Sequence, residues 1–164
     1  MHSSGPVSQE GFLGAKNRSV KAECPCGGYR SGAKSVSGNK RPLPAVTYSE
    51  CCGQFIDEHV LPPTAEQLMR SRYTAYALSK SDYLLSTWHT STRPRTLDID
   101  SHLKWLGLTV RRVEQGAAAD DKAVVEFVAR YKVGGQKAER LQETSDFVKE
   151  GGRWFYVTGL VNQV

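Results

Sequence analysis

The sequence predicts an α+β fold in which helices come first and an antiparallel sheet follows. Apolar residues recur with a helical period between residues 64 and 79, and with a period of two after residue 107. Short glycine-containing turns separate the later apolar segments, as they do between strands that are consecutive in an antiparallel sheet. Together, the order and the spacing favour helices packed across one face of a curved sheet.

The helices are predicted from caps and periodicity. Thr64 begins a capping box with Gln67 and starts a helix that runs to about Ser79. Ser81 is a favourable residue for the start of a second short helix. A third short helix is predicted at 99–106, with Trp105 as its apolar anchor.

The strands are predicted from alternation. The clearest covers 123–131, which is rich in β-branched and aromatic residues. Alternation predicts the other strands at 108–113, 141–148 and 153–158. Because the turns between them are short, we expect a four-stranded meander.

Composition divides the 164 residues into three parts. Residues 1–20 are predicted to be a disordered leader. Residues 21–56 are rich in Gly, Ser and Lys and poor in large apolar side chains, so they need a staple such as a metal to be ordered. Residues 57–164 are long enough to build a core of their own. With no run of eighteen apolar residues and no secretory signal, we expect a cytoplasmic protein without membrane contact.

Four cysteines form the strongest chemical pattern in the chain. Cys24 and Cys26 form a C-x-C pair, and Cys51 and Cys52 are adjacent. Four thiolates make a closed tetrahedral set for one structural Zn²⁺, with no open position for a substrate. Free or oxidised thiols remain an alternative, as does mixed ligation in which His59 replaces one cysteine. A redox pair is disfavoured because neither spacing is C-x-x-C.

The excess of positive charge lies around these cysteines. The whole chain has a net charge of +5. Residues 1–45 contain seven basic and two acidic side chains, which also gives +5, so the remainder is neutral. The basic residues within 16–41 either neutralise a metal–thiolate group or form a surface for a protein or ribonucleoprotein partner. Few aromatic side chains are interleaved with them, so we expect no sequence-specific DNA binding.

Several motifs carry a resemblance to a known family. They are CPCG, CCG, LMRSRYTAY, DYLLSTWH, WLGL, VEFVARY and RWFYVTG. In this order, over residues 23–159, they resemble the bacterial YchJ family, also called UPF0225. The resemblance implies a SEC-C zinc motif joined to an NTF2-like cone. Here 24 residues separate Cys26 from Cys51. That is about three times the usual loop of the motif, a difference worth only about 1 kcal/mol of closure entropy.

Arg72 falls on the apolar face of the first predicted helix, where its charge needs a carboxylate or water. Glu126 and Glu143, on two predicted strands, are the candidate partners. One interpretation is a buried ion pair inside the cone. The other is a polar cavity in which Arg72 and Arg130 bind an anionic small molecule.

The favoured functional hypothesis is a non-enzymatic protein whose zinc-stapled basic segment contacts a protein or ribonucleoprotein. The alternative is a small-molecule binder or enzyme that uses the cone cavity. The sequence contains no Ser-His-Asp set, zinc-protease motif, phosphate loop or dinucleotide fingerprint, so it predicts no catalytic or cofactor-binding residue besides the metal ligands.

Overall fold

The computed structural model describes residues 22–29 and 45–162. The predicted leader, 1–20, and most of the basic stretch 16–41 lie outside these residues. Three helices precede four strands in the described part of the chain. The helices are α1 Gly53–Ile56, α2 Ala65–Ala77 and α3 Ser81–Ser86, and the strands are β1 Leu103–Gln115, β2 Lys122–Val133, β3 Glu139–Glu150 and β4 Arg153–Asn162.

The four strands form one antiparallel sheet in the order β1-β2-β3-β4. This confirms the α+β class and the predicted meander. Register shifts in β1, near Gly107 and Arg112, and in β4, between Tyr156 and Thr158, interrupt the regular pairing. Bulges of this kind increase local bend and twist, which suits a sheet that curves around a helix.

Helix α2 lies across the concave face of the sheet. Thr64 caps it, with its hydroxyl accepting from the Gln67 backbone N–H at 3.2 Å as the capping box predicts; the hydroxyl also donates to Gln67 Oε1 at 2.9 Å. A buried cluster joins α2 to strands β2, β3 and β4. Its members are Ala65, Leu68, Met69, Ala123, Val125, Phe147 and Trp154.

The predicted third helix at 99–106 is wrong, because strand β1 begins at Leu103. Trp105 pairs across the sheet with Tyr131, with ring centroids 5.9 Å apart, and contacts Tyr73 of α2 edge-on at 5.4 Å. Cross-strand aromatic pairs of this kind stabilise a sheet. The partners of Trp105 are distant in sequence, so the local pattern did not reveal the strand.

The cysteine segment folds back on itself and packs against the helices. Glu23 and Thr47 form an antiparallel bridge, flanked by backbone hydrogen bonds from Cys24 to Val46 and from Tyr48 to Ala22. A second buried cluster includes the four cysteines together with Tyr73, Ala75, Leu84 and Ala129. The segment therefore shares a core with the sheet and helices. Within the described residues, the helices are too short or too polar to cross a membrane.

Candidate functional site

Two tight local structures position the four cysteines. Cys24 and Cys26 lie in a turn closed by a hydrogen bond from Gly27 N to Cys24 O at 2.9 Å. Cys51 and Cys52 precede α1, where Tyr48 O accepts from the backbone N–H groups of Cys51 and Gly53. A Cβ on Gly53 would lie 2.8 Å from that same carbonyl oxygen, so the C-C-G sequence permits this close turn.

The four Sγ atoms form a compact group in which all lie within 4.8 Å of one another. Cys26 Sγ lies 3.5 Å from that of Cys24 and 3.6 Å from those of Cys51 and Cys52, and the last two are 3.9 Å apart. Zn–S bonds of about 2.3 Å in a tetrahedron require S–S separations of about 3.8 Å. The donor set and its spacing therefore fit a tetrahedral thiophilic metal ion.

The surroundings of the sulfurs also suit thiolates held by a cation. All four cysteines are buried. Contact with Cys24 and Cys51, together with burial, raises the pKa of Cys26 far above the usual thiol range, and contact with the other three sulfurs does the same for the pKa of Cys52. The same contacts lower the pKa of Cys24, so without a cation only part of the group is held as thiolate. Four thiolates at this spacing therefore need a bound cation.

Helix α2 supplies hydrogen bonds to this group from outside it. Thr74 Oγ1 donates to Cys52 Sγ at 3.2 Å, and Arg70 Nη1 donates to Cys26 O at 3.2 Å. His59 does not join the group and lines a separate groove beside α3. Among the described residues, the predicted four-cysteine set is thus the one group of potential metal ligands that the structure assembles.

A second feature is a cavity of about 240 Å³ between α2 and the concave face of the sheet, called here the cone cavity. Arg72, Glu143 and Ser145 contribute charged and polar groups to its wall. The remaining lining is Met69, Tyr73, Tyr76, Trp105, Phe127, Leu141, Phe147 and Tyr156. The structure therefore brings Arg72 and Glu143 to one cavity, although they form no ion pair within 4.0 Å.

Arg72 is held by the C-terminal end of α3 and by Thr87, which caps that helix. Its Nη1 donates to Leu84 O and to Thr87 Oγ1, both at 2.7 Å. The guanidinium lies over the rings of Tyr156 at 4.5 Å and Trp88 at 5.1 Å. Burial lowers the pKa of Arg72, because an apolar environment disfavours its charged form. The predicted buried ion pair is therefore replaced by neutral acceptors and ring faces.

Glu143 lies on the concave face of β3. Its Oε1 accepts from Ser145 Oγ at 2.6 Å and from the Tyr156 hydroxyl at 3.4 Å. Burial raises the pKa of Tyr156, and nearby Glu143 raises it further. Tyr156 is placed by backbone hydrogen bonds that join β4 to Thr87 and His89.

The predictions for Glu126 and Arg130 are wrong, because both lie on the other face of β2. Glu126 accepts from Gln142 Nε2 at 2.8 Å and pairs with Arg112 Nε at 3.5 Å, whereas Arg130 is exposed to solvent. The residues of β2 that face the helices are the odd-numbered ones, such as Val125 and Ala129. Both faces of this strand carry valines, so alternation alone did not decide which face is inward.

Some cavity residues were missed. Tyr76 follows Arg72 by one helical turn, and the helical period places both on one face, but the cavity prediction did not include Tyr76. No sequence pattern indicated a role for Gly159 in the cavity. A Cβ built on it would overlap the Glu143 carboxylate and lie 2.8 Å from the Tyr156 hydroxyl, so glycine leaves the space that these groups occupy.

Comparisons with known proteins agree with the domain of helices and sheet and with the cysteine segment. A family model described as the YchJ middle NTF2-like domain matches residues 64–159. A UPF0225 protein from Chromobacterium violaceum is 50% identical over 148 residues, which cover 88% of this chain and 96% of that protein. A UPF0225 protein from Polaromonas naphthalenivorans is 50% identical over 137 residues, 83% of this chain and 95% of the relative.

Two solved structures that resemble this chain are of proteins that contain a SEC-C motif. A SEC-C motif containing protein from Rhodopseudomonas palustris superposes with a TM-score of 0.64 at 32% identity, over 73% of this chain and 95% of that one. Another from Psychrobacter arcticus gives a TM-score of 0.63 at 26% identity, over 87% of this chain and 84% of the other. The identity and coverage of these relatives, together with the NTF2-like match, show that the chain belongs to the YchJ (UPF0225) family.

Proposed function

We propose that this protein is a non-enzymatic, cytoplasmic zinc-binding protein whose basic residues within 16–41 contact an acidic surface of a protein or ribonucleoprotein partner. The observation that carries the proposal is the group of four buried cysteine sulfurs, all within 4.8 Å of one another and with four of the six S–S separations at 3.5–3.9 Å. When bound, Zn²⁺ supplies a cross-link between the two cysteine pairs. Because all four ligands come from the protein, no position is left open for substrate chemistry.

The residues that flank 30–44, a segment called here the basic loop, are placed in a way that supports the proposed contact. Gly28 and Val46 approach so closely that a Cβ on Gly28 would lie 2.7 Å from Val46 Cγ2. The described residues on either side of 30–44 therefore lie close together. Between these points the sequence contains four basic residues, no acidic residue and two prolines. A segment of this composition favours contact with an anionic surface.

The metal can be tested by cobalt substitution. We expect the protein reconstituted with Co²⁺ to show the thiolate charge-transfer and intense ligand-field absorption of a tetrahedral site. Cys52→Ser should lose or change that spectrum, whereas Ser86→Ala, on the exposed side of α3, should retain it. Octahedral cobalt absorption in the wild-type protein would contradict the proposed metal centre.

The partner contact needs a separate experiment. A variant with Lys34, Lys40 and Arg41 changed to Glu should lose partners that the wild-type protein captures from lysate. A matched variant with Arg111, Lys137 and Arg140 changed to Glu has the same net charge, but its changes lie at exposed positions of the sheet and of the β2–β3 connection. It should retain the partners. Nuclease treatment separates ribonucleoprotein from protein partners, and equal capture by both variants would refute the contact.

A further inference from the structure

The cone cavity contains a charged group whose hydrogen-bonding capacity is only partly used. Arg72 is 5% exposed, yet both of its hydrogen bonds leave from Nη1. Nε and Nη2 have no acceptor among the described residues, and no carboxylate of that part of the chain lies within 4.0 Å of the guanidinium. A guanidinium presents donors in a fork that matches a carboxylate, so this arrangement suits an anionic group entering from the cavity.

Glu143 has the complementary arrangement on the opposite wall. Both of its hydrogen bonds go to Oε1, from Ser145 and Tyr156. Oε2 has no donor among the described residues, and no basic side chain there pairs with this carboxylate. An acceptor oxygen held in place by two hydroxyl groups suits a ligand that carries a hydrogen-bond donor, most favourably an ammonium group.

The cavity between these two charges is apolar and small. Eight of its eleven lining residues are aromatic or aliphatic, and include Trp105, Phe127 and Phe147. Its volume of about 240 Å³ lies below the roughly 300–1,000 Å³ of pockets that hold drug-sized ligands. Aromatic walls around a pair of opposite, unpaired charges favour a compact ligand with an apolar body and both charges at one end.

We propose that the cone cavity binds a small zwitterion of the amino-acid type, with its carboxylate on Arg72, its ammonium group on Glu143 and its apolar side chain against the aromatic wall. This binding site does not depend on the metal or on the basic loop. Gly159 is a positioning residue for it, because the absence of a Cβ leaves room for the Glu143 carboxylate.

The test uses three probes that differ by one group each: L-phenylalanine, 3-phenylpropionate, which lacks the ammonium group, and 2-phenylethylamine, which lacks the carboxylate. L-Leucine and L-valine test whether the cavity binds an amino acid with a smaller side chain. Binding is followed by amide and indole NMR shifts of the full-length protein. We expect at least one amino acid to shift the signals of Trp105 and Glu143, and the two phenyl analogues to bind about tenfold or more weakly than L-phenylalanine if that is the amino acid bound.

Substitutions test whether Glu143 binds the ammonium group of the ligand. Glu143→Gln should weaken amino-acid binding about tenfold or more, whereas binding of 3-phenylpropionate should stay the same or become tighter, because a negative charge is removed from the cavity. Gly159→Ala, which displaces the same carboxylate, should act in the same direction. Glu126→Gln is the matched control, since it makes the same change on the outer face of the sheet, and should alter neither.

Three results would overturn the proposal. The first is that none of the three amino acids moves the cavity signals at millimolar concentration. The second is that 3-phenylpropionate binds as tightly as L-phenylalanine when both bind. The third is that Glu126→Gln weakens amino-acid binding as much as Glu143→Gln does.

Discussion

The hydroxyl of Thr74 gives a sharp test of how the helical domain supports the metal centre. Thr74 is 0% exposed and donates to Cys52 Sγ at 3.2 Å. Thr74→Val keeps the branched shape and removes the hydroxyl, with this hydrogen bond and a longer contact of 3.8 Å to Cys24 Sγ. Because the site is buried, water cannot replace the lost hydrogen bond to a thiolate.

The expected size of the effect follows from the hydrogen bond to Cys52. A hydrogen bond to a charged group contributes about 1.5–3 kcal/mol, which corresponds to roughly 10–100-fold in metal affinity. Loss of outer contacts at metal sites has effects of the same order, about 10–100-fold. We therefore expect Thr74→Val to lower zinc affinity within this range without abolishing the site, because all four sulfur ligands remain.

Competition with a chromophoric chelator measures this affinity directly. Thr109→Val is the control, because Thr109 is exposed on strand β1, where valine is well tolerated. It should leave zinc affinity within about twofold of wild type. If Thr74→Val also changed affinity by less than twofold, the hydroxyl would not stabilise the thiolate, and the account of how α2 supports the site would be refuted.

Three further predictions concern stability. Chelation should increase hydrogen exchange in 22–29 and 45–56 while most amides of the sheet stay protected, because the cluster around Trp154 contains no cysteine; simultaneous loss of all protection would contradict this division. Leu84→Ala should lower the free energy of unfolding in urea by about 2–5 kcal/mol, since Leu84 is fully buried beside the cysteines. Leu160→Ala, at a position 73% exposed, should change it by less than about 0.5 kcal/mol, and equal effects would argue against the shared core. Gly116→Ala should lower the melting temperature, because Gly116 has φ +89° and its added Cβ would lie 2.9 Å from that of Ala65; an unchanged melting temperature would refute this contact.

Local signals predicted the fold where they were strong. The Thr64 cap, the alternation in β2 and the glycine turns each specify their element from neighbouring residues alone. The segment at 99–106 failed because Trp105 takes its conformation from Tyr73 and Tyr131, which a local pattern does not connect to it.

The candidate sites show the same limit. Cysteine chemistry and spacing were sufficient to predict a ligand set that the structure assembles within 4.8 Å. To predict the cone cavity, it is necessary to know which face of each strand is turned inward. Glu126 was assigned to the wrong face because valines occupy both faces of β2. Gly159 shapes the cavity by having no side chain, which no pattern of side chains could indicate.

The central claim is that four cysteines hold one structural zinc ion, which cross-links the Cys24–Cys26 pair to the Cys51–Cys52 pair. X-ray absorption at the zinc edge of the purified full-length protein tests it most directly. The account predicts one Zn²⁺ per chain with four sulfur neighbours at about 2.3 Å. A folded protein without zinc, or a zinc shell containing nitrogen or oxygen, would contradict it.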